Sequence, residues 1–213
     1  RRSSDLNGLL NPRGNATDAA GLSTLKKLVA LNTARGRLDL PVIKRLYLDG
    51  FVSFDFGISN STNWNKSYQV YSYNQAADTY TAFTENGSLG LASLDILNGN
   101  SVTITKNIKL NYEHLFGKSS IKAFAAYEQS TFDYKYLSAH KEQFISQAIS
   151  QLDYGSSVNQ TNSGNEITSA RQNYFGRVNY TFDDTYILEG QLRYDGSDVF
   201  SKGKRWGLFP SLS

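Results

Sequence analysis

Apolar and polar residues alternate along much of this chain, most cleanly toward its end. From Asn173 to Asp195 the even positions are Tyr174, Gly176, Val178, Tyr180, Phe182, Tyr186, Leu188, Gly190, Leu192 and Tyr194. The odd positions include Arg177, Asn179, Glu189, Gln191 and Arg193. A period of two with one apolar face predicts half-exposed β-strands. A turn at Asp183-Asp184-Thr185 sets Phe182 opposite Tyr186, Val178 opposite Gly190, Gly176 opposite Leu192 and Tyr174 opposite Tyr194. Small residues then face large ones mid-strand, and aromatics stand at both ends. A soluble sheet puts its large residues mid-strand over a core; aromatics at the two ends of an apolar band mark strands that meet two water interfaces. The pattern points to an outer-membrane β-barrel.

The same unit recurs upstream. Asn32 to Leu40 alternates weakly (Ala34, Gly36, Leu38, Leu40), and Pro41 to Arg45 turns it. Leu46–Ser59 sets Leu46, Leu48, Val52, Phe54, Phe56 and Ile58 against Tyr47, Asp49, Ser53, Asp55 and Ser59. Ser101–Phe116 carries Val102, Ile104, Ile108, Leu110 and Tyr112 on one face; Gly117 to Ser120 turns the chain, and Ile121–Asp133 returns with Ile121, Ala123, Ala125 and Tyr127. The stretches 60–100 and 134–170 predict long polar connections, and a shorter loop from Gly196 to Lys204 leads to a last strand near Arg205. Connections that alternate short and long suit a barrel with tight periplasmic turns and large extracellular loops. The fold class expected is therefore all-β: an antiparallel up-and-down transmembrane barrel segment of about seven strands, open-edged and too small to close alone.

Two stretches break the period. Leu22, Leu25, Leu28 and Val29 within Thr17–Leu31, and Phe144, Ile145, Ala148, Ile149 and Leu152 within Ser138–Leu152, have helical spacing and predict short helices packed on loops. Lys106 falls on the apolar face, which places the start of the lipid-facing band near Ile108. Phe51, Phe124, Phe175 and Ile187 fall on the polar face, where a wide lumen buries them against something inside.

Composition adds limits. The chain has 213 residues and a scattered net charge of +3, which indicates neither a nucleic-acid nor an anionic partner surface. The mean hydropathy of −0.44 looks soluble, but a barrel turns only alternate residues to lipid. Tyr 14, Phe 12, Gly 17 and Pro 3 suit strands with many turns, and the absence of cysteine excludes disulfides and thiolate metal sites. The chain opens on Arg1-Arg2 without Met or signal peptide and stops at Ser213 inside an alternating run, so an internal piece of a longer protein is expected. His114 and His140 have no spaced partners for a metal. Asp183-Asp184 reads as turn chemistry. Ser23/Lys26 and Ser138/Lys141 match Ser-x-x-Lys by chance, without the companion motifs of a penicilloyl-type nucleophile. There is no phosphate loop. Asn15, Asn60, Asn65, Asn86, Asn159 and Asn179 open Asn-x-Ser/Thr triplets at chance frequency for an Asn-rich chain. Nothing here makes an enzyme, and no cofactor is expected.

The run Tyr174-Phe175-Gly176-Arg177-Val178-Asn179-Tyr180, then Tyr186-Ile187-Leu188, then Arg193-Tyr194-Asp195-Gly196-Ser197 with Phe200, resembles the SusC/RagA family of TonB-linked outer-membrane transporters. Arg205-Trp206-Gly207-Leu208-Phe209-Pro210-Ser211 continues it, and Asn111-Tyr112, Phe116-Gly117 and Tyr127-Glu128-Gln129 share the pattern. Leu40-Pro41-Val42-Ile43-Lys44 looks like the family's turn into a strand, although Arg45 stands where the family usually has Gly, and Asp198 replaces a more usual Ser. The resemblance implies a larger 22-stranded barrel around an N-terminal plug that is not in these residues, so that 1–213 is part of the barrel domain. It also implies a SusD-like surface lipoprotein as lid, oligosaccharide or peptide substrates, and import driven by TonB through a segment outside this chain. The motif residues Asp195, Gly196, Ser197, Phe200, Arg205, Trp206, Gly207, Phe209 and Pro210 look architectural, with Gly196 and Gly207 permitting turns or close approach and Pro210 marking an edge or irregular point.

A competing reading is a secreted or surface β-sandwich that binds glycans. The loop aromatics Trp64, Tyr68, Tyr71, Tyr73 and Tyr80 are candidate substrate contacts under either, since sugar faces stack on rings. The apolar face discriminates: a sandwich buries it within the chain, whereas a barrel shows it to lipid. The barrel predicts Leu48, Val52, Phe54, Val178, Leu188 and Leu192 toward lipid, and Asp49, Asp55, Lys109, Glu113, Arg177, Glu189 and Arg193 toward the lumen.

Overall fold

A computed structural model describes residues 16–41, 43–85 and 91–213. Arg1-Arg2, Asn15, Val42 and Asn86, named above, lie outside the described residues. Among those described, nine strands follow in order: β1 (Gly21–Asp39), β2 (Leu46–Asn65), β3 (Tyr68–Asn74), β4 (Thr79–Glu85), β5 (Ala92–Phe116), β6 (Ser119–Phe144), β7 (Thr161–Phe182), β8 (Tyr186–Ser197) and β9 (Trp206–Leu212). One seven-stranded sheet runs β1-β2-β5-β6-β7-β8-β9, with neighbours in sequence as neighbours in space; β3 and β4 pair as a separate hairpin inserted between β2 and β5. By contacts the chain divides into two compact units. One holds residues up to Leu28, Ile58–Asn100 and Lys135–Asn165; the other holds Val29–Gly57, Ser101–Tyr134 and Glu166–Ser213.

The second unit contains the alternating stretches. In β7 and β8 the register is the one that small-against-large pairing required: Tyr174 faces Tyr194, Gly176 faces Leu192, Val178 faces Gly190 and Phe182 faces Tyr186. Asp183 and Asp184 both take left-handed φ, 51° and 50°, which Asp tolerates better than most residues and which matches the twist of tight hairpins. Gly117 does the same at φ 57°. Arg45, where a glycine would be the easy choice, also sits at φ 76°. The turn therefore stays tight, at a strain of about 1 kcal/mol, with the Leu46 N–H donating to the Ile43 carbonyl at 3.2 Å. These short turns lie side by side: the Asp183 N–H donates to the Lys118 carbonyl at 2.8 Å, the Lys118 ammonium meets the Asp183 carboxylate at 2.9 Å, and the Glu113 N–H donates to the Arg45 carbonyl at 3.3 Å.

The first unit has a conventional core. Trp64, Ala92, Leu94 and Phe144 are buried together, with Ile96 and Leu152 packed against them. The Trp64 and Phe144 rings meet edge-on at 4.7 Å and 84°. Gly155 passes so close that a β-carbon there would stand 2.8 Å from both Lys141 Cβ and the Phe144 ring.

Two expectations are overturned. The predicted helix over Thr17–Leu31 is a turn followed by β1, and the one over Ser138–Leu152 is the end of β6, a bend and a single 3-10 turn at Leu152–Tyr154. In the first, helical spacing loses to an available strand partner: Ser23 donates to the Asn63 side chain, Asn32 to the Phe54 carbonyl, and Thr33 to Ser53. In the second, β6 runs on to Phe144, and the left-handed φ of 60° at Gln143 supplies no helical turn. The long connections are also shorter than expected. Much of 60–100 is strand, and 134–170 shrinks to the segment between Phe144 and Thr161. The strands continue after their alternation ends, because a strand outside hydrocarbon needs no apolar face.

Candidate functional site

The functional surface is the two-faced sheet of the second unit. On one face Val52, Val178, Leu188 and Leu192 are 49–55% exposed and Phe54 and Ile108 nearly as much; Leu48 is half-buried. Aromatic rings close this face at both ends. At one end Tyr127 lies 5.0 Å from Tyr174, and Trp206 stacks on Tyr194 at 4.7 Å and 18°. At the other, Tyr112 stacks on His114, and His114 meets Phe116 tilted at 44°, with Phe182 and Tyr186 exposed beyond them on β7 and β8. At ~3.3 Å per residue Tyr174 and Phe182 stand roughly 26 Å apart along β7. A strand tilt of about 40° reduces this to roughly 20 Å, close to the height of an outer-membrane apolar band. Asn107 donates to Glu128, and Thr105 bonds Ser130. This register sets Lys106 opposite Gln129, one pair beyond the Tyr127 girdle, as its charge requires.

The opposite face is polar and cross-linked strand to strand. Asn111 is 6% exposed and donates to Asp49 at 2.7 Å; Lys109 pairs with the same carboxylate at 3.5 Å. Arg177 reaches Glu189 diagonally at 3.7 Å, and Asn179 donates to it at 3.3 Å. Asp55 accepts from Ser53 and from the Asn32 N–H, and Glu113 accepts from Tyr47. The aromatics that interrupted this face are platforms for its cations. Lys109 and Arg177 lie over the Phe124 ring at 5.7 and 5.5 Å, Arg193 over Phe175 at 5.4 Å, and Arg35 over Phe51 at 5.6 Å. Such contacts carry about 0.5–1 kcal/mol each. Ile187 has no such role and is 65% exposed.

Within the first unit a polar cleft of about 560 Å³ has Ser61, Asn63, Asp95, Ser138, His140 and Ser163 in its lining. His140 Nδ1 lies 2.6 Å from Asp95 Oδ1, and the Ser138 and Ser163 hydroxyls are 2.8 Å apart. Sequence spacing missed this cluster because its partners come from different strands, in the parts of β5 and β6 where apolar and polar residues no longer alternate. Among the described residues no His, Cys, Asp or Glu group is placed to hold a metal ion.

The candidate aromatic contacts do not form one cluster. Trp64 is taken up by the core at 6% exposure. Tyr68, Tyr71 and Tyr73 lie on β3 and Tyr80 on β4, with Tyr71 and Tyr80 exposed and the Tyr73 and Tyr80 rings 4.9 Å apart. Tyr73 donates to Asp78 at 2.8 Å, and that bond holds its phenol above the ordinary range.

The motif residues gather where β8 meets β9. Gly196 pairs with Trp206, Asp195 with Gly207, and Leu192 with Pro210. Asp195 accepts from Arg193 at 3.2 Å, and the Ser197 N–H donates to the Arg205 carbonyl. Arg205 Nε in turn donates to the Phe200 carbonyl at 3.0 Å. Gly207 leaves room for Phe209, whose ring would lie 2.9 Å from a β-carbon there. Pro210 stands opposite Leu192 on β9, three residues from Ser213, which exchanges both backbone bonds with Glu189, so it occupies a non-hydrogen-bonded pair and removes no bond to β8.

Comparison with known proteins agrees with this architecture. The sequence model described as TonB dependent receptor-like, beta-barrel matches residues 2–213. The TonB-dependent receptor SusC of Bacteroides thetaiotaomicron is 29% identical over 160 residues, which is 75% of this chain and 13% of that protein. The TonB-dependent receptor P39 of Formosa agariphila is 24% identical over 104 residues, 48% of this chain and 10% of its own length. Among solved structures, the RagAB peptide importer in its open-open state superposes with a TM-score of 0.71 at 18% identity, over 91% of this chain and 20% of that one. The chain thus spans about an eighth of SusC and a fifth of the RagAB chain.

Proposed function

Because this chain belongs to the TonB dependent receptor-like, beta-barrel family, we propose that it forms part of the wall of a SusC/RagA-type importer in the outer membrane of a Gram-negative bacterium. Its relatives are TonB-dependent receptors, not enzymes. The observation that carries the reading is the inverted burial of the sheet. Val178, Leu188 and Leu192 are half exposed, while Asn111 and Ser53 on the polar face are 6% and 9% exposed. Water favours the reverse by about 25 cal/mol per Å² of apolar surface; hydrocarbon outside and an aqueous lumen inside favour this arrangement. A face-packed sandwich would bury these same residues, so the glycan-binding sandwich has no observation in its favour.

In this reading the substrate is a nutrient such as an oligosaccharide or a peptide, the latter class named for RagAB. It passes along the polar face, where Lys109, Arg177 and Arg193 are each held on a ring and a carboxylate. The cleft around Asp95, Ser138, His140 and Ser163 and the exposed Tyr71 and Tyr80 are its proposed contacts on the extracellular side. A SusD-like lipoprotein acts as lid, and TonB supplies energy through a plug outside this chain, within a barrel of about 22 strands. The test is uptake by cells carrying the full-length protein. Labelled oligosaccharide or peptide should accumulate only with functional TonB, and accumulation that persists without TonB overturns the reading.

A further inference from the structure

The outward face holds a second feature, at the aromatic girdle where β8 gives way to β9. A cleft of about 210 Å³ opens there, with Gln172, Gly196, Asp198, Arg205 and Trp206 in its lining. Gly196 pairs with Trp206 and shares its side of β8 with Leu192 and Leu188, so the indole marks the level where the apolar band meets head groups. Beside the cleft the chain makes a tight turn. Gly203 takes φ +90°, and the Lys204 N–H donates to the Ser201 carbonyl at 3.0 Å.

Lys202, Lys204 and Arg205 are all exposed. Lys109, Lys118, Arg177 and Arg193 each have a carboxylate partner; among the described residues these three cations have none. Arg205 commits only Nε, to the Phe200 carbonyl. The one acid of the connection, Asp198, lines the cleft and has its N–H bonded to the Ala170 carbonyl at 3.1 Å.

We propose that this cleft binds the head group of a phosphorylated glycolipid of the surrounding leaflet. Arg205 in the cleft lining, with Lys202 and Lys204 exposed in the adjoining turn and, among the described residues, without a carboxylate partner, calls for phosphate. The Asp198 carboxylate and Gln172 amide in the same lining call for hydroxyl donors, and the exposed part of the Trp206 indole offers apolar contact to a sugar. A phosphoglycerol lipid supplies the phosphate but no sugar ring for Asp198 and Trp206 to hold, and Asp198 repels a phosphate brought close to it. Acyl chains then lie along Leu192 and Leu208, both exposed on the same face.

The inference rests on the outer-membrane reading, and its test separates the two. The full-length protein is reconstituted in lipid nanodiscs, where heat-modifiable electrophoretic mobility reports barrel insertion. Native mass spectrometry then compares retention of an acylated diphosphoryl glucosamine disaccharide, its dephosphorylated form and phosphatidylglycerol. The diphosphorylated glycolipid should be retained in preference to both others. Lys204→Gln with Arg205→Gln should weaken its retention roughly tenfold. Lys202→Gln with Lys204→Gln, which leaves the Arg205–Phe200 bond intact, should weaken it in the same direction, and Asp198→Asn should narrow the preference over phosphatidylglycerol. Equal retention of the three lipids, or retention unchanged in both double variants, overturns the proposal alone. Failure of the wild-type protein to insert overturns the membrane reading and this site with it.

Discussion

The six-membered ring of Trp206 lies on Gly196, where a β-carbon would stand 2.8 Å from three of its carbons. The pair is a direct cross-strand match between β8 and β9, and the absence of a side chain at Gly196 is what lets the indole lie flat and stack on Tyr194 at 4.7 Å. The ring contact is aromatic against rigid backbone, so neither partner has a cheap way to yield.

Gly196→Val should therefore displace the indole and destabilise the full-length barrel by about 1–3 kcal/mol, the usual range for overpacking. Trp206→Ala in the same background should recover part of that loss, because it removes the clash. Urea unfolding from lipid vesicles reads both. Equal stability of Gly196→Val and wild type would show that the ring is free to move.

The two faces predict opposite tolerance of charge. Val178→Arg, midway between the girdle positions Tyr174 and Phe182 on β7, should cost roughly 2–4 kcal/mol. Gln191→Arg, on the polar parity opposite Arg177, should cost little, since exposed charges there are worth at most about 1 kcal/mol. Folding of the full-length barrel into lipid compares them, and equal tolerance removes the main physical support for the membrane assignment.

Arg45 carries a left-handed backbone without being glycine. Arg45→Gly should relieve this strain and stabilise the barrel by about 0.5–1 kcal/mol, partly offset by loss of the guanidinium contact with His114. The variant's denaturation midpoint measures the balance; a clear loss of stability would mean that the side-chain contact outweighs the backbone term.

Protease added to intact cells should cut between Phe144 and Thr161 or at the β3–β4 turn, and spare Asp183. Cleavage at Asp183 would mean that the short turns face outward, and the proposed orientation would be reversed.

Much of this was legible in the chain because one physical rule wrote it. Where a strand separates lipid from water, alternate residues must differ, so β7, β8 and their turn could be read to the register, and Leu46–Ser59, Ser101–Phe116 and Ile121–Asp133 each lie inside a longer strand. The motif from Asp195 to Pro210 was legible only as a resemblance to a family; the close approach of Trp206 to Gly196 came from the structure.

The rule lapses where both faces of a strand meet water. There the first half of β1, the distal halves of β5 and β6 and the start of β7 lose their alternation, and leucines such as Leu22, Leu25 and Leu28 fall by chance at helical spacing. Those segments are strands because a neighbouring strand offers backbone hydrogen bonds along its length, a fact of tertiary structure. Trp64 shows the same limit: a tryptophan in a polar stretch looks like a ligand platform, and only the arrival of Phe144, Ala92 and Leu94 from other strands makes it core. The sequence by itself determined the spanning strands, their faces and the β7–β8 register, since these follow from local periodicity and the two solvents. Tertiary structure decided how far the strands extend, which aromatics are buried, and that Asp95 meets His140, because each depends on residues far apart in the chain being brought together by the sheet.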